Sequence, residues 1–165
     1  MAVVVFDTSF LIKLLDPKVK GKGDVDARLA YLIVQLDKRG DDIVVPTPAL
    51  SEVLIGAGDA ASTYLDIIHK TARIRIAPFG ERAAVEAAAR HRAAISAGNK
   101  KEGTANWAKV KYDRQIVAIA NVERADGIYG EDSDVMRLGI AQGLKVLRLV
   151  DLDDPPRRPP DLFQR

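Results

Sequence analysis

Short apolar runs alternate with amphipathic stretches along most of the chain. Residues 2–6 (AVVVF) form a continuous, valine-rich run, the pattern of a strand buried on both faces of a parallel sheet. A short apolar helix follows through Phe10, Leu11, Ile12, Leu14 and Leu15, with Thr8 or Ser9 available to cap it, and Asp16-Pro17 ends it. Residues 18–24 read as a Lys/Gly-rich loop carrying Lys18, Lys20 and Lys22. Leu29, Leu32, Ile33 and Leu36 recur at helical spacing and predict a helix over 25–38, stopped by Gly40. Residues 43–45 predict a second buried strand. Thr47 then offers an N-cap, with Pro48 at the first helical position and Gly56 and Gly58 ending the helix.

The second half repeats the alternation. A helix is predicted over 60–70, and an alternating run at 73–77 (RIRIA) suits a strand nearer a sheet edge. A long alanine-rich helix covers 81–97, and the polar stretch 98–110 reads as a loop. Residues 112–125 predict a helix that is apolar nearly all round in its middle, and so well buried. Strands at 127–129 and 146–149 flank a helix at 132–142 that Gly143 stops. Right-handed crossovers between such units give an α/β fold: a mostly parallel sheet with helices on both faces, a three-layer α/β/α sandwich. The expected organisation is one domain over 1–150 and a proline-rich, peripheral tail over 151–165.

Composition narrows the chemistry. With 165 residues and 47% hydrophobic content, one domain with a sizeable core is expected. The chain has no cysteine, which excludes disulfides, a thiolate zinc site and a thiol nucleophile. The N-terminal apolar run is too short for a signal peptide or a membrane span, so a cytoplasmic protein is expected. A net charge of +2 says little about partners. His69 and His91 are isolated on predicted helices, where surface or structural roles are expected. No glycine-rich phosphate loop opens a helix.

In open α/β sheets, ligands bind beyond the carboxyl ends of the strands. Asp7 follows the first strand directly. Asp132 and Asp134 follow the 127–129 strand across Gly130-Glu131, Glu52 lies about one turn into the helix after the second strand, and Asp113 opens the predicted 112–125 helix. Each acid alone has an ordinary explanation, as a helix cap, a dipole partner or a solvated side chain. Gathered together, they repel: two carboxylates about 4 Å apart cost roughly 4 kcal/mol at an effective dielectric near 20. Protons or cations must therefore accompany them. An all-carboxylate set favours Mg²⁺ or Mn²⁺ over zinc. Thr8 or Ser9 could add a hydroxyl to such a site. Lys100, Lys101, Lys109 and Lys111 surround Trp107, a pairing that can hold phosphates and stack a base, or be a solvated loop with one anchoring indole.

Four segments resemble the motifs of PIN domains: VVVFDTSFL around Asp7, PALSEVL around Glu52, YDRQIVAIA around Asp113, and GEDSDV around Asp132 and Asp134. They span about residues 2–150 in the family's order, and are most similar to the small VapC-like toxins. That resemblance implies a Mg²⁺-dependent endoribonuclease with strand order 3-2-1-4-5. It also implies a homodimer, and metal ligands at Asp7, Glu52, Asp113 and either Asp132 or Asp134. A toxin of this kind implies a small antitoxin that blocks the acidic pocket with an inserted Arg or Lys. Two departures stand out. Gly130 replaces the Thr or Ser that the family often carries two places before the first acid of the fourth motif, which removes a hydroxyl, and the 98–110 loop is long. A non-catalytic module that binds RNA or protein, and a nuclease acting on DNA or flaps, fit the same residues.

Overall fold

The computed structural model describes residues 1–16, 18, 24–101 and 106–156. Its centre is the valine-rich strand β1 (Val3–Phe6), in which Val5 and Phe6 are wholly buried. Successive side chains point to opposite faces, so burial of consecutive residues requires cover on both sides. The chain continues through α1 (Thr8–Leu15), α2 (Asp24–Arg39), β2 (Asp42–Pro46), α3 (Thr47–Ala57), α4 (Ala61–Lys70), β3 (Ile74–Ala77), α5 (Glu81–Ser96), α6 (Trp107–Val122), β4 (Gly127–Tyr129), α7 (Ser133–Ala141) and β5 (Lys145–Leu147). The five strands form one parallel sheet in the order β3-β2-β1-β4-β5. With helices on both faces this is the expected α/β/α sandwich, and β3 lies at the edge that its alternating pattern predicts.

The strand order reverses at β1. The chain leaves β1 for β2 on one side, and returns on the other side as β4. The crevice between the carboxyl ends of β1 and β4 is therefore the topological switch point. Asp7 continues the pairing there, its N–H donating to the Tyr129 carbonyl at 3.0 Å. Phe6, Phe10 and Tyr129 pack in a mutual cluster just beneath, with ring centroids 5.5–5.6 Å apart. Tilted and edge-on aromatic pairs of this kind contribute about 0.5–1.5 kcal/mol each beyond burial. They bind the ends of β1, α1 and β4 into one rigid floor.

Gly40 and Gly143 stop their helices in the left-handed conformation (φ 74° and 78°), as expected. Other boundaries need correction. Asp7, rather than Thr8 or Ser9, caps α1, because its Oδ1 accepts from the Phe10 N–H. Thr47 is not an N-cap; α3 begins at Thr47 itself after Pro46, and the Thr47 hydroxyl accepts from the Phe79 N–H at 3.0 Å. The last strand is shorter and earlier than 146–149, with Leu149 already in a 3-10 turn. Residues 107–110 are not loop: α6 starts at Trp107, capped by Asn106, whose Oδ1 accepts from the Lys109 N–H at 2.8 Å. Leu152 is buried and Asp154 pairs with Arg28 at 2.6 Å. Pro17, Lys20, Lys22, 102–105 of the predicted 98–110 loop and 157–165 of the tail lie outside the described residues. Among the described residues no helix is long and apolar enough to cross a membrane.

Candidate metal centre

A cleft of about 200 Å³ opens at the switch point, lined by Asp7, Thr8, Ser9, Glu52, Lys109, Asp113 and Asp132 among others. Each acidic side chain reaches it from a different element. Asp7 is 1% exposed at the β1–α1 junction, and its capping bond fixes the carboxylate. Its Oδ1 accepts from the Ser9 hydroxyl at 2.6 Å and from the Phe10 N–H at 3.0 Å. Its Oδ2 is buried with no hydrogen-bond partner. A buried carboxylate oxygen left this way costs free energy unless a proton or a cation satisfies it. Burial raises the Asp7 carboxyl above its ordinary value, against the pull of the Ser9 hydroxyl and the Phe10 and Asp132 N–H groups; the Asp132 charge pushes it further up.

Asp132 caps α7, and its Oδ1 accepts from the N–H groups of Asp134 and Val135 at 2.9 and 3.2 Å. Asp134 lies in the first turn of α7, where Arg137 binds its Oδ1 at 3.0 Å. Asp113 does not open a helix as expected. It lies in the second turn of α6, where the dipole effect has faded, and it is 6% exposed. A ligand oxygen from each of Asp113, Asp132 and Asp134 falls within 4.8 Å of the other two. Asp7 and Glu52 line the cleft beside this trio without joining that set. Glu52 is exposed on α3 and accepts from the Thr8 hydroxyl at 2.5 Å.

The trio surrounds a cation, the ammonium of Lys109. Its Nζ lies 3.0 Å from Asp113 Oδ2, 2.9 Å from Asp132 Oδ2 and 3.1 Å from Asp134 Oδ2. Burial opposes the charge on Lys109, but the bonds to Asp132, Asp113 and Asp134 outweigh it and hold the lysine above its usual range. Burial pushes Asp113 up to about 6 despite the Lys109 ammonium, with the Asp132 and Asp134 charges adding to the rise. Arg137, helped by Lys109, holds Asp134 below the ordinary carboxylate value. The donor set is therefore hard oxygen, already arranged around a positive charge. Together with the unpartnered Asp7 oxygen, it fits Mg²⁺ or Mn²⁺.

Gly130 is a necessity of this geometry. A Cβ at that position would overlap the Asp7 carboxylate, with the carboxylate carbon only 2.5 Å away. The missing hydroxyl of the family pattern thus has a steric cause. Ser9 ties the same corner together, because its Oγ also accepts from the Glu131 N–H at 2.8 Å.

The predicted basic cluster divides in two. Residues two apart on a helix lie about 200° apart, whereas those four apart share a face. Lys109 therefore faces the acids with Asp113, and does not belong to a loop with the other lysines. Trp107 and Lys111 face the other way. The Lys100 ammonium lies 4.1 Å from the indole centroid and that of Lys111 5.8 Å, with His91 edge-on to the ring at 4.8 Å. Lys101 is exposed next to Lys100. His69 is exposed, and His91 is half-buried against Trp107, so neither enters the cleft. Lys109 had a legible signal: the Lys109–Asp113 spacing of four, and an asparagine three places before it in capping position.

No protein-family model matches the chain, and no curated protein matches it by sequence. Solved structures do. One is VapBC2 from Rickettsia felis bound to a DNA fragment from its promoter, with TM-score 0.62 and 14% identity, covering 88% of this chain and 98% of that one. Another is VapC20 of Mycobacterium tuberculosis, described as a sarcin-ricin loop cleaving toxin, with TM-score 0.58 and 15% identity, covering 82% and 95%. FitAcB from Neisseria gonorrhoeae gives TM-score 0.59 and 17% identity, covering 90% and 99%. At such identity the likeness is one of fold. The chain has the fold of the VapC-type PIN domains.

Proposed function

We propose that this chain is a divalent-metal-dependent endoribonuclease, the toxin of a toxin–antitoxin pair. One observation carries the reading: three carboxylates converge on a cation at the switch point, beside a buried Asp7 oxygen that has no partner. Asp113, Asp132 and Asp134 would hold Mg²⁺ or Mn²⁺ with Asp7, and Glu52 would reach the metal's waters from the cleft rim. The bound ion would supply a water activated for in-line attack on phosphorus and a charge to stabilise the leaving oxygen. The chain's own residues prepare this site. Ser9 and the Phe10 N–H orient Asp7, the N–H groups of Asp134 and Val135 orient Asp132, and Thr8 orients Glu52.

The likeness to VapC20, a sarcin-ricin loop cleaving toxin, supports a nucleic-acid strand, here RNA, as the substrate. Lys100, Lys101 and Lys111 with Trp107 would hold the strand away from the scissile bond, so binding should weaken as salt rises. The VapBC and FitAcB assemblies support a small antitoxin partner. A homodimer acting in the cytoplasm completes the reading. The test is cleavage of RNA, and of DNA of the same sequence, with Mg²⁺ or Mn²⁺ and with a chelator. Wild type should cut RNA only with metal, and Asp7→Asn should not cut. Intact RNA with both metals would overturn the reading in favour of a non-catalytic binding module, and preferential cutting of DNA would make the chain a DNA nuclease.

A further inference from the structure

We infer that Lys109 is a competing occupant of the metal centre: a tethered cation that a divalent ion must displace in order to bind. The inference rests on the metal centre proposed above, and adds what controls its loading. Lys109 and Asp113 are four residues apart on α6, so one rigid helix carries both the blocking cation and a ligand. The Nζ stands 2.9–3.1 Å from an oxygen of each trio member, and those acidic groups offer oxygens within 4.8 Å of one another. An ion of the magnesium type needs oxygens at about 2.0–2.1 Å. An ion touching two or three of these oxygens would therefore stand in the space that the ammonium fills. Like charge adds to the exclusion.

Two members of the trio have contacts that do not depend on Lys109. Asp132 stays oriented by the backbone N–H groups of α7, and Asp134 keeps Arg137 on its other oxygen. The lysine thus neutralises the ligands without orienting Asp132 or Asp134, while Asp113, its hydrogen-bond partner, is carried by the same helix and buried there. The flexible four-carbon stem of the lysine can swing aside. Arginine at this position would keep the charge. Methionine or glutamine would leave the ligands in place without a competitor. The expected consequence is a threshold: the centre loads only when free metal is high enough to evict its own lysine.

The test is calorimetric titration of Mn²⁺ into the full chain without RNA, at one pH and ionic strength, for wild type and for Lys109→Met, Lys109→Gln and Lys109→Arg. Removing an ammonium in contact with three carboxylates should tighten Mn²⁺ binding about tenfold or more in the Met and Gln variants, while Arg stays near wild type or weaker. Mn²⁺ should also raise the melting temperature of the neutral variants more than that of wild type. If Met folds poorly, Gln alone decides the outcome. Neutral variants that bind Mn²⁺ no tighter than wild type would overturn the inference and leave the metal centre standing. Absence of Mn²⁺ binding in wild type and neutral variants alike would overturn the metal centre, and this inference with it.

Discussion

Asp113→Asn should stabilise the metal-free protein at neutral pH, although it removes a proposed metal ligand. Burial raises Asp113 from 3.8 to about 6, so the folded chain holds its proton more tightly than the unfolded chain does. Stability from this group is therefore fully present below pH 4, and is lost as pH rises through about 6. The gap between the two values corresponds to about 3 kcal/mol, at roughly 1.4 kcal/mol per pH unit. Asparagine copies the neutral acid at every pH, but makes a weaker bond to Lys109. A net gain of about 1–3 kcal/mol at pH 7.5 is expected, shrinking towards zero at pH 4. Urea denaturation of both proteins at the two pH values, in chelator, measures this. Adding Mn²⁺ should reverse the order, since wild type gains about 4.1 kcal/mol at roughly a thousandfold excess over Kd and the variant gains little. An Asn variant that is less stable at pH 7.5, or a difference unchanged between pH 4 and 7.5, would refute the reasoning.

Asp7 should separate fold from function: Asp7→Asn keeps a capping oxygen and should fold, whereas Asp7→Ala loses the cap and about 0.5–2 kcal/mol in thermal or chemical denaturation. Both should lose metal binding, as read by calorimetry. Gly130→Ser should damage the protein although it restores the hydroxyl of the family pattern, because its Cβ would displace the Asp7 carboxylate; a loss of about 1–3 kcal/mol and weakened Mn²⁺ binding are expected.

The frame of the molecule was legible because its signals are local. The apolar run of β1 requires burial on both faces, Gly40 and Gly143 supply the left-handed turns that stop helices, and the alternation of β3 marks it as an edge. The approximate place of the acids followed from topology, since a parallel sheet gathers strand ends into one crevice. The start of α6 is masked in the sequence because Lys109 and Lys111 look like loop residues, yet lysine is a good helix former and Asn106 supplies the cap. Two features were out of reach. The bonds from Lys109 to Asp132 and Asp134 span 23 and 25 residues, and no spacing rule encodes them. The closeness of Gly130 to Asp7 is likewise a tertiary fact; the sequence showed a missing hydroxyl where the structure has a missing Cβ.

The central claim is that the acids at the head of β1 and β4 form a divalent-cation centre. Anomalous diffraction from crystals grown with Mn²⁺ above pH 7, where Asp113 is ionised, tests it most directly. The account predicts one or more strong peaks bonded to oxygens of Asp7 and the Asp113–Asp132–Asp134 trio, with the Lys109 ammonium moved out of contact with all three. Lys109 still bridging the trio, with manganese absent from the cleft at saturating concentration, would contradict it.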